Sequence, residues 1–355
     1  MTWAALAVLA AAAALLAGCS GLGYYWQGAA GHIRMLEAAR PVDDWLADKE
    51  TPDKLKERLA LSQQIRRFAT VELKLPDNPS YSRYADLHRS AVIWNVVAAP
   101  VYSLELEKSC FPITGCVGYR GYFDEREARG EGDRLLKEGL EVNVYPVPAY
   151  STLGWMNWAG GDPLLNTFIN YPEGELARTI FHELAHQVVY VKDDTTFNES
   201  FATSVERIGS ERWLATRASP QARSEYAQYD GRRKQFRALT NTTRDKLKNI
   251  YDKSSGEERE ASKQRAYREF RGDYAKLKAT WPGDPARYRF YDRWVAEANN
   301  AAFGAQAAYD DLVPGFEALF AKEGSDFGRF YDAVKKLAQL PKEQRHEQLK
   351  ETSGA

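Results

Sequence analysis

At 355 residues, with 44% apolar and 27% charged side chains, the chain has ordinary globular composition and enough apolar mass for a sizeable core. Its 48 basic and 49 acidic residues are interspersed and leave a formal net charge of -1. That balance offers no electrostatic footprint for nucleic acid or for an anionic membrane surface, and neither is expected as a partner.

The first element is a leader. Trp3 to Ala17 is an uncharged apolar run too short to span a bilayer and right for the core of a signal peptide. It ends in Leu16-Ala17-Gly18-Cys19, which resembles the bacterial lipobox. The resemblance implies a signal peptide over 1–18, a lipid on the Cys19 thiol, and a protein anchored in the cell envelope facing the periplasm, with Ser20 fitting sorting to the outer membrane. Residues 19–355 are expected to form one domain, with a catalytic core at about 90–215 and a helical part at about 216–355.

Tyr24 to Arg40 reads as a helix halted near Pro41, and Pro52 to Leu73 as a second, amphipathic one. "SAVIWNVVAAPVYSLELE" has strand-forming residues broken by Pro100, which predicts a β-hairpin. In an exported chain Cys110 and Cys116 are placed for a short-loop disulfide, metal binding being the weaker alternative. A charged helix follows from Asp124 to Lys137, then the strand "LEVNVYPVP". "AYSTLGW" reads either as an edge strand able to pair with a peptide backbone or as a loop, and "LLNTFI" as a short strand.

Past Pro172 begins a helix containing "HELAH", expected to continue toward Val191. "KDDTT" then turns the chain and "FNESFATSVERI" forms an antiparallel helix. A charged helical hairpin spans about Ser219 to Trp281, and further helices run from Asp311 to Leu340 after "ANNAAFGAQAAYDD". The fold class is therefore α+β and predominantly helical, with a small sheet.

His182 and His186 are one helical turn apart, so both imidazoles can reach one cation. Ala177, Ile180, Leu184, Val188 and Val191 fall on nearly the opposite face. Glu183 projects to one flank, where it can act on a metal-bound water without ligating the metal. A catalytic zinc needs a third protein ligand, and Glu199 on the second helix can face the histidines. The same residue could instead close a capping box from Thr196, "TFNE", and bond backbone amides. Glu206 reads equally as a second carboxylate supporting the site or as a surface ion pair, and Asn198 leans to a structural role at the helix start.

"HELAH" followed by "NESFATSVE" resembles the glutamate zincins, in particular the HExxH and NExxA pattern of membrane-alanyl-type zinc aminopeptidases. With the lipobox, "YRGYF" and "PLLNTFINYPEGELARTIFHELAHQVVYVKDDTTFNESFA", most of the chain resembles a bacterial family of lipoproteins described as aminopeptidases. The resemblance implies a zincin-like catalytic core with a small sheet, a helical N-terminal layer and a C-terminal helical hairpin, a peptide substrate, Zn2+ held by His182, His186 and Glu199, and Glu183 as general base. The twelve residues between His186 and Glu199 are fewer than those aminopeptidases carry, and their Gly-Ala-Met-Glu-Asn motif is missing. An amine anchor would have to be another residue, such as Glu173 or Asp162. Tyr309 is a candidate oxyanion donor, with simple packing as its alternative. The rival function is a metal-binding but inactive envelope scaffold that recruits a protein through the helical hairpin.

Overall fold

The computed structural model describes residues 23–111 and 114–354; the leader and Cys19 lie outside the described residues. The fold is α+β and predominantly helical. Helix α1 occupies residues 23–38, followed by strand β1 (Arg40–Pro41), α2 (Val42–Ala47) and α3 (Asp53–Val71). Helix α3 buries Leu59, Ile65, Phe68 and Ala69, which recur at the three- and four-residue steps of a helix face.

Two small sheets follow. Strand β2 (Arg83–Ala85) pairs antiparallel with β1 and parallel with β8 (Leu164–Leu165). In the second sheet β3 (Ile93–Ala99) lies between β6 (Arg120–Tyr122) and β7 (Glu141–Val147), antiparallel to both. Pro146 stands opposite Trp94 on edge strand β7, where its missing N–H costs no interior ladder bond. Helix α4 (Glu125–Lys137) is capped by Asp124, which accepts from Arg126 N, and packs on this sheet through Ala128 and Gly132. Cys110 and Cys116 are joined in a disulfide across a short hairpin, β4 (Ser109–Phe111) with β5 (Gly115–Val117).

The expected hairpin at Pro100 is not formed. The chain after β3 turns at Pro100 and runs without strand structure, returning one bond from Glu107 N to Ala98 O at 2.8 Å. Its carbonyls are committed elsewhere: Asn300 Nδ2 donates to Pro100 O (3.0 Å) and Val101 O (2.8 Å), and the buried Lys263 ammonium donates to Val101 O. "AYSTLGW" is a run of turns leading into a short 3-10 helix, with Leu153 and Gly154 at φ of 57° and 79°, so it is a loop. "LLNTFI" contributes only the two residues of β8 before turning.

The central layer is α5 (Glu173–Ala185) against α6 (Thr195–Thr216). Leu176, Ala177, Ile180, Phe181 and Leu184 of α5 are fully buried, as are Phe197, Phe201, Ala202 and Val205 of α6. Each large side chain among them contributes ~1.5–3 kcal/mol of transfer free energy. Gly209 permits the close crossing, since a Cβ there would stand 2.7 Å from Leu73 Cδ1 and 3.0 Å from Phe181 Cδ2. Helix α5 ends sooner than its pattern suggested. His186 is its cap, and Gln187 N to Leu184 O (3.1 Å) and Val188 N to Ala185 O (2.9 Å) tighten the last turn into shorter-range bonds.

Helices α7 (Pro220–Lys253) and α8 (Gly256–Ala279) form the expected antiparallel hairpin. It has its own aromatic cluster, Phe236, Phe270, Trp281 and Phe303, with Trp294 packed against it. The last of these phenylalanines comes from α10 (Asn300–Ala307), which follows α9 (Arg289–Ala296) and forms from the "ANNAAFGAQAA" segment taken as a connector. The alanines and glycine there leave a smooth face that lies against β3 and β7. Helices α11 (Val313–Lys322), α12 (Phe327–Ala338) and α13 (Lys342–Ser353) close the main core, Phe316 and Phe330 meeting Phe201 at 5.7 and 5.9 Å.

Candidate metal centre

Helix α5 delivers His182 and His186 on one face at its C-terminal end, and the first turns of α6 bring Glu199 opposite them. Helix α6 begins after Asp194, whose carboxylate accepts from Phe197 N at 3.2 Å. Asp194 therefore performs the capping that "TFNE" offered as an alternative, and Glu199 sits inside the helix with its side chain turned to the imidazoles. The buried carboxylate of Asp194 is in turn held by Arg345 (3.0 Å) and His346 (2.9 Å) of α13.

The connection between the two helices is fastened at several points. Asn198 Oδ1 accepts from Val191 N and Asn198 Nδ2 donates to Val191 O, both at 2.8 Å. Asp193, at φ 67°, accepts from Cys116 N at 2.6 Å, and the Tyr190 hydroxyl donates to Thr114 O at 3.2 Å. The disulfide hairpin thus braces the loop that separates the candidate ligands.

His182 Nε2 lies 3.1 Å from His186 Nε2 and 3.3 Å from Glu199 Oε2, and His186 Nε2 lies 3.6 Å from the same oxygen. Glu199 Oε2 is buried and accepts no hydrogen bond. A tetrahedral zinc with bonds of about 2.0–2.1 Å requires neighbouring ligand atoms about 3.3 Å apart, so the triangle has the edge lengths such an ion needs. Two imidazoles and one carboxylate are also the donor set of a catalytic divalent-metal site. The three residues therefore fit a metal ion.

Burial pushes the Glu199 carboxyl up, but the two imidazoles outweigh it and hold it down at about 2. The carboxylate thus stays ionised, as a ligand must. Burial lowers His182 and favours its neutral, ligating form; on His186 burial acts the same way but the Glu199 and Glu183 charges raise it overall. Burial lifts the Glu183 carboxyl to about 7, with His186 pulling it down and Glu199 and Asp162 pushing it up. A carboxylate so poised can hold a proton near neutral pH.

Glu206, one face along α6, lies with Oε2 3.2 Å from His182 Nδ1 while its Oε1 takes the Arg178 guanidinium. It is 8% exposed, which makes it a buried neighbour of the candidate ligand His182 and not a surface pair. We expect Glu206→Gln to weaken zinc binding by about 10–100-fold, the usual scale for a partner that orients a metal-bound histidine. Competition with a chromophoric chelator checks this; unchanged zinc affinity would mean that Glu206 only neutralises Arg178.

The site opens into a cleft of about 370 Å³ lined on one side by Thr179, His182, Glu183 and Tyr309. The Tyr309 ring lies 6.3 Å from the His182 ring at 25°, and the Glu199 charge followed by burial keeps its phenol well above its ordinary value. It is 38% exposed and follows α10 in a turn fixed by Tyr309 N to Gln306 O. Neither suggested amine anchor is free: Glu173 accepts from Trp213 Nε1 at 2.9 Å, and the fully buried Asp162 accepts from Thr152 N at 3.0 Å. Arg178 escaped the sequence reading although it sits four residues before His182, on the same face. Arg345 and His346 gave no signal at all, because their partner Asp194 is some 150 residues earlier.

A family model described as "Putative aminopeptidase" matches residues 23–349, and the chain belongs to that family. The family's description points to hydrolysis of peptide bonds. No curated protein and no solved structure gives a significant match to the chain.

Proposed function

We propose that the protein is a zinc-dependent peptidase, and by its family an aminopeptidase, in which His182, His186 and Glu199 hold the metal and Glu183 is the general base. The observation that carries this reading is the triangle of two Nε2 atoms and one Oε2 atom at 3.1–3.6 Å, with an ionisable carboxylate beside it. Zinc bound there would polarise the scissile carbonyl and acidify a water molecule. Glu183 would take the proton from the attacking water and return it to the leaving amine. Glu206, itself paired with Arg178, lies beside His182 Nδ1 and would hold the ring so that its Nε2 faces the metal side. Tyr309 would donate its hydroxyl proton as a hydrogen bond to the oxygen that gains charge at the scissile carbonyl. On the same reading residues 19–355 act as one peptidase unit tethered to the envelope through Cys19, in keeping with the apolar leader and its Leu-Ala-Gly-Cys end.

The decisive test is metal analysis of the purified protein alongside digestion of a peptide library, with chelation and zinc restoration. One zinc per chain, cleavage lost on chelation and regained with zinc, is the expected result; purified wild type with no bound metal would sink the proposal. Tyr309→Phe removes only a hydroxyl at the cleft. We expect it to lower kcat by roughly 10²–10³-fold with little change in KM, the scale of one lost oxyanion donor. A KM effect alone would assign Tyr309 to substrate packing.

A further inference from the structure

We propose that the cleft beside the metal centre recognises a carboxylate on the peptide, carried one or two residues from the scissile bond. The inference rests on the peptidase reading and names its substrate class.

Arg233 and Arg237 lie one turn apart on α7, and Arg178 lies one turn before His182 on α5; all three line the cleft. Each meets one carboxylate: Arg178 pairs with Glu206 and also hydrogen-bonds Tyr226, Arg233 pairs with Glu175 at 2.6 Å, and Arg237 with Asp310 at 2.9 Å. Asp310 is shared with Arg207 at 3.1 Å, and Glu206 is shared with His182. The other acids nearby are spoken for, since Asp230 faces Lys234 at 2.8 Å and Glu317, 42% exposed at its side chain, meets Arg207 at 3.4 Å. The three guanidiniums that line the cleft therefore meet one carboxylate each, two of those carboxylates being shared with other cationic or imidazole groups, and a guanidinium has five donors to satisfy. Arg178 Nε and Arg233 Nη1 are buried and find no acceptor among the described residues.

The crowding has a cost. Burial first, then Arg207 and Arg178, hold the Arg237 guanidinium below its ordinary value against the pull of Asp310. A carboxylate entering the cleft relieves that repulsion and supplies acceptors in the planar geometry that guanidinium matches best. No carboxylate lining the cleft is left unpaired for a substrate ammonium except Glu183, which is needed as the base. Arg178 is roughly 6 Å along α5 from His182. That matches one or two extended residues at about 3.3–3.6 Å each from a carbonyl on the metal. The carboxylate can be the main-chain terminus of a di- or tripeptide or an Asp or Glu side chain.

The test uses zinc-loaded Glu183→Gln protein and calorimetric binding of four peptides: Leu-Ala, Leu-Ala-amide, Leu-Glu-amide and Leu-Gln-amide. Tighter binding of Leu-Ala than of its amide, by about tenfold or more, identifies the main-chain source. The same margin for Leu-Glu-amide over Leu-Gln-amide identifies the side-chain source. Arg233→Gln and Arg237→Gln, each added to that background, should abolish the margin while zinc affinity stays unchanged; each is read separately, so misfolding of one leaves the other informative. No discrimination within either pair overturns the proposal, as does discrimination that survives both arginine variants, which would place the carboxylate on the metal. Wild type that cleaves none of the four peptides while the margin holds supports the carboxylate site and overturns only the peptidase reading.

Discussion

Glu183→Gln is expected to abolish peptide cleavage, lowering kcat by roughly 10²–10⁴-fold, while the protein keeps a full complement of zinc. The substitution preserves volume and one hydrogen-bonding oxygen but removes the only atom set able to accept a proton from water. It touches none of the three candidate ligands, so metal content should not fall. The pH dependence has a defined sign. Glu183 must be ionised to act as base, and activity is lost as pH falls through its pKa. Burial places that pKa at about 7 without metal. A dication nearby stabilises the carboxylate, so the acid limb of kcat/KM in the zinc protein should lie at or below 7. Full activity in Glu183→Gln with zinc bound would remove Glu183 from the chemistry.

Asp194→Ala is expected to be the most damaging single change outside the cleft, costing about 3–5 kcal/mol. Asp194 is 1% exposed and performs two tasks, capping α6 through Phe197 N and holding the Arg345 guanidinium and the His346 ring. Truncation to alanine leaves the Arg345 guanidinium buried beside Phe197 with only the Leu340 carbonyl to accept from it. The melting temperature should fall by on the order of 5–15 °C. Asp194→Asn, which keeps a capping oxygen, should recover part of the loss, about 1 kcal/mol of it. Removing both partners with Asp194→Leu and Arg345→Met should cost less than Asp194→Ala alone, because the buried guanidinium goes with its carboxylate. A change below about 0.5 kcal/mol in Asp194→Ala would show the cluster to be wet and energetically idle.

The parts of the site legible in the sequence are those set by one helix at a time. His182, Glu183 and His186 follow from the pitch of α5, and the apolar stripe of Ala177, Ile180 and Leu184 told which side faced the core. Glu199 was ambiguous because Thr196 also offered a helix cap; only the position of Asp194, two residues before Thr196, resolves it. Arg233, Arg237 and Tyr309 come from elements whose docking onto α5 and α6 no local pattern encodes. The long helices were readable from periodicity, whereas the hairpin expected at Pro100 failed for a reason outside its own segment. Strand propensity in "VYSLELE" lost to Asn300 and Lys263, which take the carbonyls a second strand would have used. The alanine-rich α10 showed the reverse, a helix hidden because its buried face is made of small residues with little apolar contrast.

The lock on Asp194 also sets an order of events during synthesis. All three candidate ligands leave the ribosome within one short stretch, and the two helices that carry them pack directly against each other. Arg345 and His346, which secure the connection between those helices, are made some 150 residues later. The candidate ligands are thus local in sequence, while the fastening that holds their two helices in register is not. On the proposed reading, a chain cut short before α13 would keep all three candidate ligands but lose the lock on the loop between them.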